Sequence, residues 1–160
     1  MRLSVTAVGR LKAGPEKLLA EDYFTRAEAL GRNIGISRIA VTEFAESQAS
    51  SPASRMAEEA KLLAGVLPPK AFAIVLDERG QPLASEAFAA LLRRHLDGVT
   101  PEVTFLIGGP DGHAPETRER AGLLLSFGLM TWPHRLARVM LFEQLYRAVT
   151  IIVKHPYHRP

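Results

Sequence analysis

Short apolar runs alternate with helix-like stretches along this chain, and this alternation restricts the fold more than any other feature. Residues 2–8, 71–76 and 103–107 are short and rich in apolar side chains, as buried strands are. The latter two are nearly continuous apolar runs, which is typical of strands covered on both faces. Strands that alternate with helices usually form parallel sheets. We therefore expect a single α/β domain over residues 1–160, with a mostly parallel sheet flanked by helices.

Proline and serine mark the expected helix starts. Pro15 suits the first turn of one helix, and Pro52 suits the first turn of another. Ser85 can cap a third helix. Pro115 opens a fourth, which we expect to continue to about residue 125 and to be followed by a short strand or loop. Residues 77–82 are expected to form a turn.

The last helix is unusually apolar. It opens after Pro133 and runs to about residue 153, with apolar side chains on most of its circumference. One face of a sheet cannot cover such a helix, so we infer a homodimer interface there. Charged residues interrupt the apolar surface, and Glu143 and Arg147 can pair one turn apart.

Composition excludes several classes of protein. With no cysteine, disulfides, thiolate catalysis and cysteine-based zinc sites are impossible, which fits a reducing cytoplasm. No apolar run approaches the ~20 residues of a membrane span, and the N-terminal segment resembles a strand more than a signal peptide. No serine lies in a nucleophile-elbow pattern. We expect a soluble cytoplasmic protein without a metal.

Positive charge is concentrated near the C-terminus. A net charge of +3 and a pI near 9.5 permit an anionic partner without identifying one. The sequence from His134 onward contains three of the five histidines. This end is the candidate nucleic-acid face, and its basic residues are Arg135, Arg138, Arg147, Lys154 and Arg159.

The final residues 155–159, His-Pro-Tyr-His-Arg, combine groups that suit RNA chemistry. Tyrosine and arginine planes stack on unpaired bases, and histidine exchanges protons near neutral pH. The alternative is a tail that only docks on a dimer partner through Pro156 and Tyr157. Metal binding by His155 and His158 is disfavoured, since cysteine and an adjacent carboxylate are lacking.

A glycine-rich loop marks the candidate ligand site. Residues 108–112, Gly-Gly-Pro-Asp-Gly, follow a buried strand and precede a helix, where open α/β sheets usually bind ligands. Glycine lets the backbone approach a ligand, so a nucleoside or an amino-acid carboxylate could lie against this loop. The alternative is a simple tight turn, because neither the G-x-G-x-x-G pattern nor a P-loop lysine is present.

Four ordered motifs resemble one protein family. They are FLIGGPDG at 105–112, MTWPH at 130–134, EQLYRA at 143–148 and HPYHR at 155–159. Together they are similar to the RlmH family, bacterial methyltransferases of the large ribosomal RNA. The resemblance implies a minimal SPOUT fold, in which the C-terminal segment is threaded as a deep trefoil knot, and a homodimer.

The same resemblance implies the cofactor and the reaction. The donor would be S-adenosylmethionine, and the product would carry a methyl group on N3 of a pseudouridine in helix 69 of 23S rRNA on the assembled 70S ribosome. The serine that relatives often have near Gly128, and their leucine at position 132, are absent here. The cofactor-binding residues implied are Leu76, Gly108, Phe127, Gly128, Leu129, Met130, Thr131 and Trp132.

The tail is expected to complete the active site of the neighbouring subunit. We hypothesise that Tyr157, His158 and Arg159 position the base and its phosphates, while Glu143 or His158 assists loss of the N3 proton. Two alternatives stay open: a ribosome-binding module without catalysis, and a methyltransferase that acts on another RNA. The substrate-binding residues implied are Arg138, Arg147 and His155.

Overall fold

A computed structural model describes residues 1–159. Its strands are β1 (Arg2–Val8), β2 (Arg38–Phe44), β3 (Phe72–Pro82), β4 (Glu102–Ile107) and β5 (Leu123–Ser126). Its α-helices are α1 (Pro15–Gly31), α2 (Pro52–Val66), α3 (Ser85–Asp97), α4 (Pro115–Glu119) and α5 (His134–Ile152), and a short 3₁₀ helix spans Arg32–Ile34.

The strands form one parallel sheet in the order β2-β1-β4-β3-β5. Side chains alternate between the two faces, because successive residues of a strand point to opposite sides. Ile74 and Phe105 belong to a large core that includes buried residues of α1, α3 and α5. Val75 and Leu106 instead pack with Leu63 of α2. The predicted α/β sheet flanked by helices is confirmed.

Helix α5 is covered largely within its own chain. Helices α1 and α3 pack along it, and Leu141, Leu145 and Val149 are completely buried. The sequence argument for a dimer assumed that one sheet face was the only cover available. That argument is therefore weaker than expected, because, of the large apolar side chains of α5, only Leu136 is exposed.

Two predicted segments are wrong in their extent. Helix α4 ends at Glu119 instead of near residue 125, and the short strand expected after the helix begins earlier, at Leu123–Ser126. Leu124 and Leu125 pair with β3, so tertiary pairing overrides the local helical tendency. Residues 77–82, expected as a turn, belong to β3, which shifts register within that segment.

Ser85 does not cap α3. The N-cap is Ala84, and the Ser85 hydroxyl donates to Oε1 of Gln144 on α5 at 2.8 Å. Within residues 1–159, no helix combines the length and the apolar character that a membrane span requires.

Candidate active site

The carboxyl ends of β3 and β4 open into a cavity of about 550 Å³, which we call the cleft. Parallel strands bring their carboxyl ends to one edge of the sheet, so the glycine loop after β4 lies beside Leu76, the last residue of β3 that pairs with β4. Leu129 does not line the cleft and is fully exposed. The predicted cofactor residues that line it are Leu76, Gly108, Phe127, Gly128, Met130, Thr131 and Trp132.

Close packing explains why the loop contains glycine. A Cβ on Gly108 would lie 3.1 Å from the backbone of Gly112 and 3.2 Å from Cε1 of His113. A Cβ on Gly109 would lie 2.8 Å from a carboxylate oxygen of Glu59, and Gly112 has φ of 82°. These positions admit only glycine without a shift of the backbone or of a neighbour. A tight turn and a ligand cradle are both compatible with this packing.

Two side chains of helix α2 pack against the glycine loop at residues 108–112. Arg55 donates to both carboxylate oxygens of Asp111, at 2.6 and 3.1 Å, and to the carbonyl of Ala49. The Arg55 guanidinium holds the pKa of Asp111 below its ordinary value. Glu59 is buried against Gly109 and accepts from the amide of Ser47 at 3.0 Å. Sequence reasoning missed both side chains.

Charged and titratable groups form the floor of the cleft. Asp77 is almost fully buried and accepts from Nε of Arg118 at 2.6 Å. Burial, the largest single effect, would raise the pKa of Asp77, but the hydrogen bonds from Arg118 and the amide of Arg79, together with the charge of Arg118, outweigh it and the pKa is lowered. Burial lowers the pKa of His113 to about 4, although Asp77 opposes this effect. His113 was also missed from the sequence.

The linker between β5 and α5 presents apolar side chains to solvent. Leu129 and Met130 are largely exposed, and Trp132 is 41% exposed at the rim of the cleft. The Ser126 hydroxyl bridges the amide and carbonyl of Gly128, whose φ is 112°. This tight turn fixes the direction of the linker, while its apolar side chains are left uncovered.

The tail packs against α5 of its own chain. The Tyr157 hydroxyl donates to Oε1 of Glu143 at 3.0 Å, and its ring lies 4.6 Å from that of Tyr146. The Arg147 guanidinium lies 4.9 Å from the centre of the Tyr157 ring and also pairs with Glu143, as predicted. Burial and hydrogen bonds with Tyr23 and Glu143 raise the pKa of Tyr157.

His158 is held between two charged side chains. Its Nε2 lies 2.9 Å from Oε1 of Glu86 at the start of α3, and its Nδ1 lies 3.4 Å from NH1 of Arg147. Since a guanidinium only donates, neutral His158 accepts at Nδ1 and donates from Nε2 to Glu86. His155 accepts from the amide of Tyr157, and Arg159 is exposed.

Arg138 has a different environment from the other predicted RNA contacts. It is 1% exposed, pairs with Glu43 and donates to the carbonyl of Gly9 at 2.6 Å. Burial lowers the pKa of Arg138, and the Glu43 carboxylate opposes that effect. In this structure its guanidinium joins α5 to the loop after β1.

Cleft and tail are separate within one chain. None of residues 155–159 lines the cleft. A second cavity of about 490 Å³ lies between them, bordered by Phe127 and Gly128 on one side and by Tyr23 and Glu143 on the other. Most of the predicted site residues therefore form two groups, one in the cleft and one around Glu143, whereas Leu129 and Arg138 belong to neither.

A parallel sheet with a glycine-lined cleft at its carboxyl edge is the setting of a nucleotide-type ligand site. Residues 1–158 match the family described as "Predicted SPOUT methyltransferase", and the chain belongs to that class of protein. Its full-length relatives show that it belongs, more narrowly, to the RlmH family.

Two of these relatives are named "Ribosomal RNA large subunit methyltransferase H". The protein of Rhodopseudomonas palustris (strain HaA2) is 52% identical over 159 residues, and that of Bradyrhizobium diazoefficiens is 50% identical. Each match covers 99% of both chains. Among solved structures, the AdoMet complex of the SpoU methyltransferase AviRb from Streptomyces viridochromogenes matches with a TM-score of 0.41 and 14% identity, covering 96% of this chain and 61% of that one.

Proposed function

We propose that this protein is a cytoplasmic enzyme that transfers a methyl group from S-adenosylmethionine to N3 of a pseudouridine in helix 69 of 23S rRNA on the 70S ribosome. The observation that carries the proposal is the 52% identity, over 99% of both chains, with a protein named as a large-subunit ribosomal RNA methyltransferase. The match spans the cleft and the tail alike. Membership of the family makes the chain a methyltransferase of ribosomal RNA.

The cleft fits S-adenosylmethionine in size and chemistry. Its volume of about 550 Å³ lies within the range of cofactor sites. Gly108 and Gly109 line the cleft with backbone groups that no side chain covers, and the buried imidazole of His113 adds a polar group to the lining. When bound, this cofactor supplies an electrophilic methyl group. The residues assigned to hold it are Leu76, Gly108, Phe127, Gly128, Met130, Thr131 and Trp132. Leu129, also expected from the sequence, is left out because it does not line the cleft.

The knot is supported by the pairing of β5. Leu125 pairs with Leu76 and also with Gln81, so the residues between those two positions of β3 form a loop that leaves the ladder beside β5. Gly80 lies against it so closely that a Cβ would be 2.7 Å from the backbone of Leu124. We propose that the residues following β5 are threaded through this loop.

A homodimer would bring the tail and the cleft together. The tail stays away from the cleft of its own chain, so a second copy is needed to place it there. Exposed apolar side chains on α1, the linker and α5 provide a surface that a partner would cover. They are Leu18, Leu19, Leu129, Met130, Trp132 and Leu136.

Within the composite site, the tail residues would bind and orient the RNA. Tyr157 and Arg159 offer a ring and a guanidinium for stacking and phosphate contacts, and Arg147 and His155 add donors beside them. Glu143 is the only one of the predicted catalytic groups that is a carboxylate; it accepts from Tyr157 and Arg147. We assign loss of the N3 proton to Glu143 or His158.

The structure favours Glu143 over His158 for that role. His158 already accepts from Arg147 at Nδ1, so it can take a proton only after Arg147 moves away. Glu143 also pairs with Arg147, but a carboxylate has about four acceptor sites, so it can accept a further hydrogen bond while that pair is intact. Arg138 is assigned an indirect part, since it supports the loop at Gly9.

Ribosomes isolated from cells that lack the protein test the proposal. They are incubated with the enzyme and S-adenosylmethionine carrying an isotopic methyl label, either as 70S particles or as separated 50S subunits, and the modified nucleoside is mapped by mass spectrometry. We expect label on N3 of a helix 69 pseudouridine in 70S particles. Label in another RNA, or an unmodified ribosome that still binds the protein, would contradict it.

A further inference from the structure

His113 is a buried imidazole that the fold leaves without a hydrogen-bond partner. It is 3% exposed, and neither Nδ1 nor Nε2 has a partner of acceptable geometry. The same ring lines the cleft, and its Cε1 would lie 3.2 Å from a Cβ placed on Gly108. An unsatisfied polar side chain therefore lies directly behind the glycine loop.

Such a side chain is costly for the isolated protein. A buried donor or acceptor without a partner loses its hydration and gains nothing in return. An apolar side chain of similar size would fill this position without that penalty. The packing of the fold thus gives no reason for an imidazole here.

Neighbouring polar groups do not satisfy the ring. Asp77 is engaged by Arg118 at 2.6 Å and by the amide of Arg79 at 3.0 Å. The backbone carbonyls of Leu76 and Leu106 lie close enough to favour the protonated form of His113, but neither meets hydrogen-bond geometry with the ring, and burial lowers its pKa to about 4. The ring is neutral at physiological pH, with one nitrogen that donates and one that accepts.

We propose that His113 is a ligand-contacting residue of the cleft, whose imidazole hydrogen-bonds a polar group of the bound cofactor directly or through one ordered water. The proposal rests on the proposed function, because it takes S-adenosylmethionine as the ligand. Binding satisfies the orphaned ring nitrogens. The imidazole therefore lowers the stability of the free protein and raises its affinity for the cofactor.

Two substitutions separate this role from simple packing. His113→Leu keeps the bulk and removes both nitrogens, while His113→Gln keeps a donor and an acceptor. Thr117→Val is the matched control, since it removes a buried hydroxyl from α4 at a residue that does not line the cleft. Calorimetry with S-adenosylhomocysteine gives the Kd of each variant, and thermal unfolding gives Tm with and without that ligand.

We expect His113→Leu to raise the Tm of the free protein by about 2–4 °C and to raise the Kd about tenfold. The Kd of His113→Gln stays within about threefold of the original, and that of Thr117→Val does not change. An unchanged Kd for His113→Leu overturns the inference, as does a lower Tm of the free His113→Leu and His113→Gln proteins, because the ring would then support the fold. Failure of the unsubstituted protein to bind the ligand overturns the proposed function as well.

Discussion

Arg138 and Arg147 both interrupt the apolar surface of α5, yet the fold uses them differently. Arg138 is enclosed and joined to Glu43 and Gly9, whereas Arg147 lies half-buried against the tail. Sequence periodicity predicts paired charges at both positions and cannot tell which one reaches solvent. The exposure of these two arginines depends on how α1 and the loop after β1 pack against α5. The periodicity of α5 alone carries no information about that packing.

Arg138→Met should destabilise the fold. It leaves Glu43 without its cation and the carbonyl of Gly9 without its donor, so we expect the free energy of unfolding to fall by roughly 3 kcal/mol. The control is Arg147→Met, which should change stability by less than about 1 kcal/mol and abolish methylation. Urea unfolding measures the stability of both variants, and the ribosome assay measures their methylation. An Arg138→Met protein of normal stability that no longer binds ribosomes would instead assign Arg138 to RNA contact.

His113 should make stability depend on pH. Its pKa is about 4 in the folded protein and near 6.5 when exposed, so below pH 6.5 the unfolded chain binds a proton that the folded chain refuses. Stability is therefore lost as pH falls from 6.5 towards 4. The stability advantage of His113→Leu over the original protein should grow by about 2 kcal/mol between pH 7.5 and pH 5.

Urea titrations of the two proteins at those two pH values make the comparison. Taking the difference between them cancels the contribution of Asp77, whose lowered pKa also removes stability as pH falls. A constant difference would show that the ring is not shielded from protonation.

At the scale of secondary-structure elements, local sequence signals predicted where helices begin better than where they end. Pro15, Pro52 and Pro115 each open a helix as expected, because proline fits the first turn. The extents of α4 and β5 were missed, since Leu123–Ser126 becomes a strand only through pairing with β3. The glycine loop lies where predicted, because its position depends only on the strand before it.

Residues that support the site were beyond prediction for a similar reason. Arg55 meets Asp111 across 56 positions of sequence, and Glu86 meets His158 across 72. No motif links such pairs. The family resemblance therefore predicted part of the lining of the cleft, whereas His113, Asp77 and Arg118, which also line it, had to come from the structure.

The close packing of the β3 loop against β5 can be tested with two glycines. Gly80→Ala places a methyl group 2.7 Å from the backbone of Leu124, so we expect it to lower the free energy of unfolding by about 3 kcal/mol or to prevent folding. Gly65→Ala is the control, because its Cβ meets nothing within 4 Å on α2 and should stabilise the protein by about 0.5–1 kcal/mol. Equal stability of the two variants would contradict a closely packed loop at Gly80.

At the scale of the whole molecule, the cleft and the tail lie apart within one chain, yet both belong to the proposed reaction. A two-fold axis can solve this separation, because each tail then reaches the partner's cleft. The exposed apolar side chains of α1, the linker and α5 are consistent with such an arrangement.

Mixing of two inactive variants tests this composite site most directly. Gly108→Val blocks the cleft, and Tyr157→Ala disables the tail, so each homodimer should fail to methylate ribosomes. A mixed dimer keeps one intact cleft facing one intact tail. After random exchange of subunits, we predict about a quarter of the original methylation activity, since half of the dimers carry one working site. No recovered activity after verified exchange would show that cleft and tail must belong to the same chain, and would contradict the account.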